Sequence, residues 1–217
     1  MKNKRGMILI VGGVLLIAAA LILTGYNMWD ERRAKQEADA LVVQLKNAIS
    51  AQHPVEESPT DTVVQEESDA ITEVPKLPVY VLNPDMEMPI KTIDAEDYIG
   101  VLEVPSLELV LPIISEWSYP ALKVSPCRYK GSAYKDNLVI AAHNYRSHFG
   151  RLEDLQEGEE ILFTDMDGNV FRYQVALTEI LIPTAIEEMT NGEWDLTLFT
   201  CTLGGQYRVT VRCDRVE

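Results

Sequence analysis

The sequence predicts an all-β domain, a closed barrel or a sandwich with short helical insertions, held behind an N-terminal transmembrane helix and a disordered linker. Three observations predict this. Seven segments between residues 98 and 213 have the length and β-branched, aromatic composition of strands: "YIGVLEVPS", "LELVLPII", "DNLVIAAH", "EEILFTDM", "NVFRYQVALTEILIP", "DLTLFTC" and "YRVTVRC". Turn signals separate them, with "DMDGN" at 165–169 a hairpin candidate and Gly131, Asp136-Asn137 and Gly204-Gly205 marking other loops. Helical patterns in this region are short: "SYPALK", "RLEDL" and "TAIEEMTNG" give a turn or two each. Closely spaced strands without long interleaved helices read as a barrel or sandwich.

The chain divides before the strands begin. Residues 1–6 form a basic tail with Lys2, Lys4 and Arg5, and 7–26 contain no charged side chain, about the length of a bilayer-crossing helix. A cleaved signal peptide is the competing reading, but this run exceeds the usual apolar core of ~7–15 residues and lacks a clear small-residue cleavage site. The basic tail places the N-terminus in the cytoplasm and the remainder outside the cell. Residues 27–52 are rich in Ala, Glu, Lys and Gln, with Ala38, Leu41, Val42 and Leu45 at helical spacing, and read as a helical stalk. Residues 53–78 are acidic, Pro-punctuated and without a base until Lys76, a composition that buries too little apolar surface to offset chain entropy. That leaves 79–217 as the globular domain. A net charge of −15 argues against nucleic acid as a partner, since phosphate binding needs clustered Lys and Arg.

Candidate chemistry concentrates near the C-terminus. In "RVTVRC" the side chains of Val209, Val211 and Cys213 share one strand face and those of Arg208, Thr210 and Arg212 the other. If the segments ending at Cys201 and starting at Arg208 pair as a hairpin, the 202–207 loop brings thiol and guanidinium together, with Arg212 about two strand steps away. Positive charge favours the reactive thiolate, and a guanidinium can also hydrogen-bond the oxyanion formed on a carbonyl. Acyl transfer further needs a proton donor for the leaving amine, and His143, at the end of the buried-looking strand "LVIAA", is the candidate. Each residue alone has a plainer reading: a buried thiol, a loop histidine, a solvated strand face.

Taken in order, "LVIAAHN", "FGRL", "TLFTC" and "YRVTVRC" resemble the sortase family of Gram-positive surface transpeptidases, and "YIGVLEVPSLELVLPI" is similar to the family's opening strands. The resemblance covers roughly residues 98–217 and implies a sortase-type closed β-barrel. It implies Cys201 as nucleophile, His143 as general acid and base, and Arg208 as oxyanion and substrate orienter. Thr200 and Asn144, beside the cysteine and the histidine, are implied as substrate-binding positions. The implied reaction cleaves an LPxTG-like sorting motif through a thioacyl-enzyme and passes the acyl group to an amine on a cell-wall precursor or a pilin. Partners so implied are surface proteins with a C-terminal sorting signal, and no cofactor is expected. The chain shows no second apolar span, which tilts the expectation from pilin polymerisation toward wall attachment.

Other residues have bland expectations. Cys213 reads as a buried thiol, Cys127 as a loop cysteine able to pair with it outside the cell. Glu187, Glu188 and Glu193 could hold calcium, but solvated acids are the preferred reading. His148 reads as packing beside Phe149, and 81–89 as a packing strap rather than a lid. Papain-like proteases order Cys before His, the reverse of this chain. A different extracellular thiol peptidase and an inactive binding module remain the alternatives.

Overall fold

The computed structural model describes residues 2–52 and 77–216, so the acidic segment lies, over 53–76, outside the described residues. Helix α1 runs without a break over Lys2–Gln52. The globular part contains the short helices α2 (Val79–Leu82), α3 (Tyr119–Val124) and α4 (Ile186–Thr190). Its strands are β1 (Lys91–Ile93), β2 (Glu96–Val104), β3 (Leu109–Ile114), β4 (Cys127–Lys130) and β5 (Leu138–Ala141), then β6 (Glu160–Asp165), β7 (Val170–Leu181), β8 (Leu196–Cys201) and β9 (Arg208–Val216). Among the described residues these form one sheet ordered β1-β2-β3-β4-β5-β8-β9-β7-β6, and β2 also pairs with β6. The extra pairing closes β2 to β9 into a barrel, leaving β1 as an appended edge. The barrel expectation therefore holds and the sandwich does not.

Closure depends on Gly100. It faces Asp165 across the β2–β6 seam, has φ +156°, and a Cβ there would run into the Thr164 carbonyl oxygen. The next corner is set by Asp165, which is fully buried. Its carboxylate accepts from the Asp167 and Asn169 amides and the Asn169 side chain, and from the Tyr134 hydroxyl at 2.7 Å. A buried charge is tolerated when every lone pair has a donor, and this one ties the "DMDGN" turn to the barrel.

Two strands, β1 and β4, are not marked by the sequence pattern. β1 is a three-residue edge, and β4 begins at Cys127, a position expected in a loop. β1 is too short to display a period, and the polar β4 lacks the apolar run that marks the equally short β5. The strands that were found show why periodicity varies. β7 alternates buried Phe171, Tyr173 and Val175 with exposed Val170, Arg172 and Gln174, as a strand with one wet face should. β5 is buried at every position, because it pairs in parallel with β8 and is covered outside as well as inside.

The outer cover explains α1. One core fills the barrel, with Leu102, Phe163, Tyr173, Leu198 and Cys213 among its members. A second layer lies outside the sheet, where Leu41, Val42 and Leu45 of α1 meet Tyr98, Val101, Ile114 and Leu122. Ala34 and Ala38 continue the same buried stripe, and Lys46 reaches Glu103 at 2.9 Å. The apolar stripe noted at 38–45 is thus occupied by the barrel wall. By contrast the apolar side chains from Met7 to Trp29 are exposed. This helix is long and apolar enough to cross a membrane.

The 81–89 segment packs on the barrel through buried Met88 and partly buried Met86. Just before it, Tyr80 of α2 stacks on Tyr134 at 4.7 Å and its hydroxyl lies 3.5 Å from Arg215. Arg215 is seven residues along β9 from Arg208, roughly 23 Å of extended strand. The segment is a strap that begins at the far end of β9 from Arg208 and is tied to the barrel by Asp85 to Lys135 at 2.9 Å and Glu87 to Arg128 at 3.9 Å.

Candidate active site at the rim of β5, β8 and β9

Local sequence dictates how the candidate residues meet. β8 and β9 pair antiparallel with Cys201 opposite Arg208, the register expected from their alternation. The connecting loop is tight: the Thr202 amide donates to Tyr207 O at 3.0 Å, and Gly205 N to Thr202 O at 2.8 Å. Gly204 and Gly205 adopt positive φ, +90° and +75°, which lets six residues reverse the chain. Arg208 lies over this loop, with Nη1 donating to Gly205 O at 3.1 Å and Tyr207 O at 3.0 Å. One edge of its guanidinium is therefore fixed to the loop that follows the thiol.

His143 arrives from the other side of β8. β5 and β8 are parallel and in register up to Ala141 opposite Phe199, and Ala142 N then donates to Phe199 O at 3.2 Å. Two residues further along each chain stand His143 and Cys201, so both leave the sheet at the same barrel end. Thr200 reinforces this junction. Its hydroxyl, buried, donates to Ala142 O at 2.9 Å. That bond occupies the side chain expected to line a peptide groove, and it fastens the two strand ends together.

The loop carrying Asn144 folds back tightly. His148 N and Gly150 N both donate to Tyr145 O, at 2.9 and 2.8 Å, and Phe149 N donates to His143 O at 3.2 Å. Gly150 is required by close approach, since a Cβ there would strike the Asn144 and Tyr145 backbone. Tyr145 lies between two imidazoles, 5.1 Å from His143 and 5.5 Å from His148 by ring centroids. His148 is completely buried and neither ring nitrogen has a hydrogen-bond partner. Burial, and secondarily the nearby His143, push its pKa down to about 4. It is the neutral back wall of the His143 loop, the packing role beside Phe149 that its sequence position predicts.

The three thiols differ in kind. Cys201 is half-buried at the rim, whereas Cys127 and Cys213 have no exposed surface. Burial pushes Cys127 up to about 12 and raises Cys213 still more, disfavouring the thiolate in both. They belong to opposite faces of the wall, Cys213 to the inner core and Cys127 to the outer layer, and all three cysteines are free. Opposite faces rule out the pairing considered above.

Arg212 corrects the expectation of an outward, solvated face on β9. It is 2% exposed beneath α4. Its guanidinium donates to Glu179 Oε1 at 2.8 Å, Thr197 Oγ1 at 3.0 Å, Met189 O at 3.2 Å and Glu188 O at 2.6 Å. This arginine fastens α4 to the barrel. Strand alternation could separate the two β9 faces but could not reveal that "IEEMT" covers one of them. Glu187, Glu188 and Glu193 are exposed, and among the described residues no three His, Cys, Asp or Glu side chains gather as a metal cluster would require.

The outer face beside Cys201 is aromatic, which the sequence reading missed. Phe199, two residues before the cysteine on the same face, meets Tyr129 edge-on at 5.3 Å, and Trp117 follows at 5.7 Å and Tyr119 at 5.0 Å beyond it. Tyr119 is 73% exposed and Trp117 37%.

A closed barrel with a thiol, a guanidinium and an imidazole at one rim defines a class of thiol-bearing β-barrel proteins. A family model for the sortase domain matches residues 102–216, more than half of the chain, and the chain belongs to the sortase family. Among solved structures it is similar to sortase A from Corynebacterium diphtheriae, with a TM-score of 0.50 and 24% identity over 56% of this chain. That match spans 62% of the Corynebacterium chain, less than two thirds of its length. Sortase C1 from Streptococcus agalactiae gives a TM-score of 0.50 at 24% identity, over 58% of this chain and 71% of that one. A sortase D5 transpeptidase from Clostridium perfringens gives 0.50 at 21%, over 56% and 80%. At these identities the likeness is one of fold. No curated protein matches the sequence.

Proposed function

We propose that this chain is a membrane-anchored cysteine transpeptidase that cleaves a sorting motif of LPxTG type and transfers the acyl product to an amine. The observation that carries the reading is the register: Cys201 opposite Arg208 on β8 and β9, with His143 leaving the parallel neighbour β5 at the same rim. The Cys201 thiolate attacks the scissile carbonyl carbon, and the Arg208 guanidinium hydrogen-bonds the oxyanion that forms. The imidazolium of His143 gives its proton to the departing amine, the C–N bond breaks, and a thioester to Cys201 remains. An incoming amine, its proton taken by His143, then attacks the thioester carbonyl and releases the thiolate.

The aromatic run from Phe199 to Trp117 supports an extended peptide lying along the outer face, with apolar side chains against the rings. In this reading Asn144, next to His143 in the chain, contacts the peptide from the His143 loop. The exposed apolar half of α1 supports anchoring in the membrane, with Lys2, Lys4 and Arg5 cytoplasmic and the barrel outside the cell. Substrates held near the bilayer by C-terminal tails suit that placement, with the acceptor amine on a cell-wall precursor or on a pilin. No cofactor enters the steps. The test is a peptide library offered to the full-length protein with glycine, diamino acids and lysine peptides as acceptors. Transfer of a Pro- and Thr-containing motif, absent in Cys201→Ala, is expected; hydrolysis of unrelated peptides alone would point to a different thiol peptidase.

A further inference from the structure

A basic cavity lies where α1 meets the barrel. Its volume is about 340 Å³, and it is bounded by Arg32, Lys35 and Asp39 of α1, by the β2–β3 turn at Glu108, and by Arg146 and Arg151 of the His143 loop. The lining carries four cations and two carboxylates, and even with Asp154 paired to Arg151 the local balance stays positive, in a chain of net charge −15. Arg151 is held in position by Asp154 at 3.0 Å and by Leu107 O at 3.5 Å. Ser147, also on the cavity wall, has a buried hydroxyl without a hydrogen-bond partner.

The depth of this cavity relative to a bilayer follows from the helix. Met7 to Met28 is 22 residues, about 33 Å of helix at 1.5 Å per residue, and the hydrocarbon core is about 30 Å thick. Tyr26 and Trp29, 6.3 Å apart, then stand at the interface where aromatic side chains concentrate. Arg32 lies roughly 5 Å beyond Trp29 along the axis and Lys35 roughly 9 Å, the depth of the phosphate-bearing headgroup layer.

We propose that this cavity binds the phosphate headgroup of an anionic membrane lipid in the outer leaflet, clamping α1 to the His143 loop. Two of its cations come from the helix and two from the barrel, so an anion between them bridges the anchor to the loop. The inference rests on the reading of α1 as a membrane span. Binding would fix the height and tilt of the catalytic rim above the membrane, using side chains that the reaction itself does not need.

The test uses the full-length protein in nanodiscs of equal phosphatidylglycerol and phosphatidylcholine, with retained lipid measured by native mass spectrometry after release into detergent. Phosphatidylglycerol should be retained preferentially, and Arg32→Gln, Lys35→Gln and Arg146→Gln should each lower that preference about fivefold, the effect of one cation near a charged bilayer. Arg33→Gln, whose side chain pairs with Glu37 away from the cavity, should leave it unchanged. Equal retention of the two lipids, or an equal loss in Arg33→Gln, would overturn the proposal in favour of diffuse surface charge. Displacement of the lipid by millimolar inorganic phosphate would overturn the lipid assignment in favour of a soluble anion. Failure of the chain to enter nanodiscs at all would instead sink the anchor reading.

Discussion

Arg208 and Arg212 occupy the same face of one strand four residues apart, yet they have different surroundings and different expected phenotypes. Arg208 is held through Nη1 by two loop carbonyls, and under the proposed mechanism its other nitrogens meet the oxyanion. Arg208→Ala should lower kcat by about 10²–10³-fold, the scale of one lost oxyanion donor, and Lys should restore little because it lacks the planar fork. Arg212→Ala removes four hydrogen bonds from a buried site and should destabilise the fold by about 2–4 kcal/mol, measured by denaturant unfolding. A fully folded Arg212→Ala protein with the larger kcat defect would reverse these assignments. His148 gives a pH prediction. Its folded pKa of about 4 lies below the ordinary value of 6.5, so the unfolded chain takes up the proton first as pH falls. The stability linked to keeping it neutral is complete above about pH 6.5 and lost progressively down to pH 4, on the order of 3 kcal/mol in all. Urea midpoints between pH 7 and 4 should fall more steeply in the wild type than in His148→Gln; identical slopes would contradict the assignment.

At the scale of elements, the outer half of α1 acts as part of the barrel wall. Leu45 is fully buried against the outer layer, and Leu45→Ala should cost about 2–5 kcal/mol of stability as a core truncation does, whereas Val43→Ala on the exposed side should change little. Equal effects at the two positions would mean that the helix does not dock. The same helix illustrates what the sequence reveals and what it withholds. The spacing of Ala38, Leu41, Val42 and Leu45 is legible as an apolar stripe, but a stripe does not say whether another helix or a sheet receives it. Seven strands were legible because they are long enough to display either alternation or a continuous apolar run. β1 was not, being three residues long, and β4 was not because its four residues, CRYK, form no apolar run of the kind that reveals the equally short β5, LVIA. The Cys201–Arg208 register was legible because a short glycine-containing loop fixes it. The burial of Arg212 and Thr200 was not, because it depends on α4 and on the parallel β5–β8 pairing, contacts made by chain distant in sequence.

For the whole molecule, closure of the barrel and docking of α1 together decide where the chemistry stands. The parallel β5–β8 pair and the β8–β9 hairpin deliver their ends to one rim, while the 81–89 strap packs on the core through Met86 and Met88. The other two thiols are sealed in the two layers of the wall. The central claim is that the reaction passes through a thioester on Cys201. Its most direct test is intact and peptide-level mass spectrometry of the full-length protein quenched in acid during turnover of an LPxTG-type peptide. The acyl fragment should be found on Cys201, be released by hydroxylamine, and be missing in Cys201→Ala. An adduct on Cys127 or Cys213, or cleavage that continues undiminished in Cys201→Ala, would contradict the account.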